Sequence, residues 1–97
     1  MEIPDINIED LFRSSKIRVT PEQSEEIQAM VYSMGGGWDE AQDFQIRHQD
    51  MPYLYIDTAF LMHPGGFDES KFVLSPYREI TYKEVQAIAL EYYSNLF

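Results

Sequence analysis

Two threonines set the frame of this chain. Thr20-Pro21-Glu22-Gln23 and Thr81-Tyr82-Lys83-Glu84 each place a threonine three residues ahead of a glutamine or glutamate, the spacing at which side chain and backbone cap one another at a helix start. Pro21 strengthens the first start, because at the first helical position its missing N–H has no partner to lose. Behind each box the apolar residues recur at helical spacing: Ile27, Met30, Val31 and Met34 after the first, Val85, Ile88, Ala89 and Tyr92 after the second. The spacing predicts amphipathic helices over 21–34 and 82–94. Gly35-Gly36-Gly37 stops the first, since glycine accepts the positive φ that ends a helix.

What lies outside the helices reads as short strands. Lys16-Ile17-Arg18-Val19 alternates polar with β-branched residues, and Tyr53-Leu54-Tyr55-Ile56-Asp57 puts tyrosines on one face with Leu54 and Ile56 on the other, the period of a half-buried strand. Shorter extended pieces are predicted over 43–48, where Phe44 and Ile46 alternate with polar residues, and over 59–62, 71–74 and 78–80. His63-Pro64-Gly65-Gly66 is turn chemistry, and Ser75-Pro76 breaks any continuous ladder. The expected fold class is α+β, a short antiparallel sheet of about four strands packed against the two helices. Residues 1–15 are expected as a short helix or arm and 16–97 as a single domain. A chain of 97 residues, 44% hydrophobic, closes one core and not two.

Charge and cysteine content narrow the function. Seventeen acidic residues against seven basic leave a net charge of −10, which repels phosphate backbones and anionic lipid surfaces. Direct nucleic-acid and membrane binding are therefore excluded. With no cysteine there is no disulfide framework, thiolate nucleophile or zinc ribbon, and a reducing cytoplasm is the natural compartment. No leader or spanning segment is expected, since no apolar run approaches about 18 residues. His48 and His63 lie near Asp50 and Asp57, but their spacing matches no metal-ligand motif, so neither metal nor cofactor is expected. No Gly-x-Ser-x-Gly elbow occurs, and the glycine triplet follows a helix where a phosphate cradle precedes one. Enzymatic activity is not expected.

At Gly37-Trp38, Tyr53-Leu54-Tyr55-Ile56 and Arg78-Glu79-Ile80-Thr81 the chain resembles a family of small proteins from tailed bacteriophages and prophages. The likeness runs over roughly residues 17–88, and this chain departs from it in the glycine triplet and the acidic stretch Asp39-Glu40-Ala41-Gln42-Asp43. The resemblance implies a phage origin and an α+β fold, and brings no catalytic residues.

The candidate site residues are acids and aromatics. Glu22, Glu25 and Glu26 crowd the first turns of the first helix, and Asp39, Glu40, Asp43 and Asp50 follow. Such a density suits a basic protein surface and can imitate the phosphate spacing of DNA. Trp38, Tyr53 and Tyr55 are the expected aromatic anchors, the tyrosines being left on the outer face of their strand. The expected function is therefore binding of a host or phage protein with a basic surface, to inhibit or redirect it. Two other readings stand beside it. A sponge for a nucleotide second messenger would stack a base on Trp38 and the tyrosines, with Arg47, Lys71 or Arg78 at the phosphate. A self-assembling accessory protein would dimerise through Ile3, Ile6, Ile8 and Leu96-Phe97.

Overall fold

A computed structural model of the chain describes residues 12–41 and 43–94. The expectations placed on Ile3, Ile6, Ile8 and Leu96-Phe97 lie outside these residues. The order of elements is β1 (Ser15–Arg18), α1 (Pro21–Ser33), β2 (Gly37–Trp38), β3 (Tyr53–Ile56), β4 (Leu61–Pro64), α2 (Glu69–Leu74), β5 (Arg78–Ile80) and α3 (Tyr82–Ser94). The fold is α+β, with both capping boxes formed. Gln23 N–H donates to Thr20 Oγ1 at 3.2 Å while Thr20 N–H donates back to the Gln23 side chain at 3.0 Å. Thr81 and Glu84 repeat the exchange, each bond at 3.2 Å. Gly35 adopts φ +95° just past the end of α1.

The sheet has five strands rather than about four, in the order β2-β4-β3-β1-β5, and it is mixed rather than antiparallel. β3 runs antiparallel to β1 and β4, but β5 is parallel to β1 and β2 is parallel to β4. Parallel strands need crossover connections, and α1 and α2 each supply one, between strands that are not neighbours in the sheet. α1 carries the chain over one face from β1 to the edge at β2; α2 carries it over the other from β4 to the opposite edge at β5.

The face under α1 and α3 holds the apolar core. Ile17, Leu54, Ile56, Met62 and Ile80 of the sheet meet Ile27, Val31, Val85 and Ile88 of the helices, with Phe12, Trp38 and Phe60 closing the ends. The opposite face is covered too, which corrects the expected exposure of Tyr53 and Tyr55. Phe72 of α2 stacks on Tyr53 at 4.6 Å between centroids and lies against Tyr55 at 6.0 Å. Tyr53 is buried and Tyr55 half-buried.

That cover exists because residues 69–74 are helical, where an extended piece over 71–74 was expected. Asp68 caps the turn, its Oδ1 accepting from the Ser70 and Lys71 amides at 3.0 and 3.4 Å. At the other end Lys16, itself buried, donates its ammonium to the carbonyls of Phe72 at 2.5 Å, Ser75 at 3.0 Å and Val73 at 3.2 Å. A cation at a helix C-terminus satisfies carbonyls that have no intrahelical partner.

The strand expected over 43–48 is a loop. Phe44 and His48 take φ of +58° and +55°, which breaks the pleat. The backbone bonds that a ladder would have made go instead to a helix side chain. Gln28 of α1, fully buried, accepts from Arg47 N–H at 2.9 Å and donates to Arg47 O at 2.7 Å. Its remaining groups bond Trp38 Nε1–H at 3.0 Å and Ser24 Oγ at 3.0 Å, so this amide has all four of its bonds. The turn expected at 63–66 begins two residues late, since His63 and Pro64 belong to β4. Gly65 is needed there, because a Cβ would stand 2.5 Å from the Tyr53 carbonyl oxygen.

Candidate functional site

The loop over 39–52 lies along the outer side of α1. Besides the Gln28 bonds, Tyr32 donates its hydroxyl to Gln45 O at 2.5 Å and Gln49 donates to Glu25 at 3.3 Å. Acids from the two segments therefore share one surface. Glu22, Glu25 and Glu26 face solvent on the helix, and Asp39, Glu40, Asp43 and Asp50 face it from the loop. Residues 22–50 carry these seven carboxylates against a single arginine, Arg47. The cations stand elsewhere. Lys16, Arg18 and Arg78 are on β1 and β5 at the other side of the sheet, where Arg18 pairs with Glu69 and Glu79. Its guanidinium is held above its ordinary pKa, chiefly by the Glu69 hydrogen bond.

Several of the acids have local partners. Glu26 accepts from the Tyr82 hydroxyl, Glu40 pairs with His48, and Asp43 pairs with Arg47. These contacts staple the loop to itself and to the helices. Among the described residues Glu22 and Asp50 have no ion pair.

The aromatic residues sort differently from the sequence expectation. Trp38 is fully buried, its indole N–H consumed by Gln28 and its ring edge-on to His48 at 5.1 Å. It is a core residue and not an anchor, and Tyr53 and Tyr55 lie under α2 on the far face of the sheet. Phe44 takes the place they were expected to fill. It is 71% exposed, follows Asp43 in the same acidic loop, and touches Tyr32 edge-on at 5.3 Å. Phe44, Tyr32, Gly35 to Gly37 and Leu61 line a cleft of about 280 Å³. The Tyr32 hydroxyl is held above its ordinary pKa by burial first and by the Asp43 charge second. Period-two alternation with Ile46 disguised Phe44 as a strand residue; a bulky aromatic between Asp43 and Gln45 was the available signal.

A second cluster sits at the β3–β4 turn. Asp57 Oδ1 accepts from the Ala59 and Leu61 amides at 2.9 and 3.0 Å, and Oδ2 accepts from His63 Nε2 at 2.6 Å. Burial acts to raise the Asp57 pKa, but these three hydrogen bonds outweigh it and hold the carboxyl below the usual carboxylate range. Asp39 approaches the other ring nitrogen of His63 at 4.0 Å.

No described helix is long and apolar enough to cross a membrane. Comparison with protein-family models, with curated proteins and with solved structures finds no match to this chain.

Proposed function

We propose that this chain is a small acidic accessory protein of phage type that binds a basic surface on a host or phage protein, in the bacterial cytoplasm, and inhibits or redirects it. One observation supports the reading: Phe44 is 71% exposed, in a left-handed backbone conformation, on a braced loop that also carries the exposed acids Asp39, Glu40, Asp43 and Asp50. A left-handed non-glycine residue costs about 1–2 kcal/mol, and held strain of this kind concentrates at binding sites. An aromatic anchor ringed by charge is the anatomy of an interface centre, the ring supplying affinity and the acids steering the encounter. DNA mimicry is the sharper form of the proposal, with Glu22, Glu25 and Glu26 continuing the charge row of the loop.

The nucleotide-sponge reading loses Trp38 as a stacking partner, because that ring is buried. Protein binding is tested by retention of a partner from bacterial lysate on immobilised protein at low and high salt. Retention should fall at high salt, and Phe44→Ala should reduce it about tenfold or more while circular dichroism stays unchanged. Glu22→Lys combined with Asp50→Lys should reduce low-salt retention. Retention indifferent to all three changes would overturn the proposal.

A further inference from the structure

We propose that Asp39, Asp57 and His63 form a binding site for a divalent first-row cation of the zinc class. One oxygen from each carboxylate and one nitrogen of the imidazole lie within 4.8 Å of one another. Metal–ligand bonds of about 2.0–2.2 Å at a tetrahedral centre put ligand atoms about 3.3 Å apart. The two carboxylates meet different ring nitrogens of His63, Asp57 at Nε2 (2.6 Å) and Asp39 at Nδ1 (4.0 Å), so a shared ion requires the ring and the Asp39 side chain to turn until both carboxylates face one nitrogen.

Each of the three residues is anchored through its backbone, and Asp57 and His63 are also bonded to each other. Asp39 follows β2 and its N–H bonds Met62 O at 3.1 Å, while His63 sits within β4 opposite Tyr55. Asp57 ends β3 with its N–H on Leu61 O at 2.9 Å, and its Oδ1 is fixed by two amides. That leaves Oδ2 oriented toward the imidazole, the arrangement by which outer hydrogen bonds aim a ligating carboxylate. Two carboxylates beside one imidazole also make an uncompensated site. Among the described residues no lysine or arginine pairs with Asp39 or Asp57, whereas a dication neutralises both.

The donor set, one nitrogen and two oxygens, suits zinc and its first-row neighbours and leaves coordination positions for water. His63 also lines a cleft of about 400 Å³ together with Tyr55, Ser75, Pro76 and Tyr77. The sequence hid the site because its ligands come from β4 and from the residues just after β2 and β3, and not from one motif.

The test is calorimetric titration of the chelator-treated full chain with Zn2+, repeated with Co2+ while following its visible absorption. The expected result is one equivalent bound, with Asp39→Asn and His63→Gln each weakening affinity by about tenfold or more and removing the Co2+ band. Asp39 makes no bond in the β3–β4 turn, so its variant keeps the fold even if substitutions at Asp57 do not. Absence of one-to-one uptake, or uptake that survives both substitutions or depends on His48 instead, would overturn the site and leave Asp57–His63 as a turn staple.

Discussion

One face of the sheet presents Ile17, Leu54, Ile56 and Ile80 to two helices of thirteen residues each; the other presents Lys16, Tyr53 and Tyr55 to the six residues of α2. The first is held by apolar area, which is non-directional and indifferent to pH. The second rests on an ammonium feeding three carbonyls, with the same ammonium and the Arg18 guanidinium each 4.9 Å from the Phe72 ring. A face built on area tolerates change wherever volume is kept, whereas a face built on a few charged bonds fails at single atoms. The two sides of one sheet should therefore come apart differently.

The largest expected effect is on the apolar side. Trp38→Ala empties the volume of the bulkiest fully buried side chain and should cost about 3–5 kcal/mol, with a further loss because Gln28 is left short of a donor. Urea unfolding followed by both tyrosine fluorescence and circular dichroism should shift as one coincident transition. A shift under about 1 kcal/mol would mean that β2 lies outside the cooperative core.

Next comes Lys16→Met, which keeps the stem and removes the charge. Loss of a charged donor to buried carbonyls is worth about 1.5–3 kcal/mol, but the damage should be local. Amide exchange at the end of α2, over 72–75, should quicken well ahead of β1 and β3. Equal acceleration in both would show that the two faces open together.

The smallest effect concerns acid. The Asp57 carboxyl binds its proton at lower pH in the folded chain than in the unfolded one, so the unfolded state holds more protons between the two values and stability rises with pH there. The contribution is complete above the unfolded carboxylate pKa, about 3.9, and is lost as pH falls through the folded value. Asp57→Asn should flatten this part of the acid limb in a series of thermal melts, while Ile56→Val on the apolar face should lower the whole curve without changing its slope. An unchanged acid limb in Asp57→Asn would assign the sensitivity of this face elsewhere.

This division also explains what could be read from the amino-acid order. Helices α1 and α3, strands β1, β3 and β5, and the core side of β3 follow from capping boxes and apolar periods, which are local. The cover on the second face does not, because Lys16 reads as a solvent residue in an alternating strand until Phe72 and Ser75 arrive beside it. The same holds for Gln28, whose side-chain amide replaces a strand that Phe44 and Ile46 seemed to announce. Parallel pairing was missed because two-residue β2 carries no periodicity at all. In the candidate site the acids were legible from density alone; the anchor was not, since exposure of Phe44 depends on a positive φ.

The parallel pairing of β1 with β5 has a consequence in time. β1 has no local neighbour: its partners begin at Tyr53 and Arg78. At a synthesis rate of about 5–20 residues per second, Arg78 is made roughly 3–13 s after Ser15, and such distant pairings also close slowly once available. For that interval Ile17 sits on an unpaired strand edge, the kind of segment that recruits other chains. Lys16 and Arg18 flank it on both sides and act as gatekeepers against that recruitment. The charges that finally hold α2 to the sheet thus first keep the nascent strand soluble.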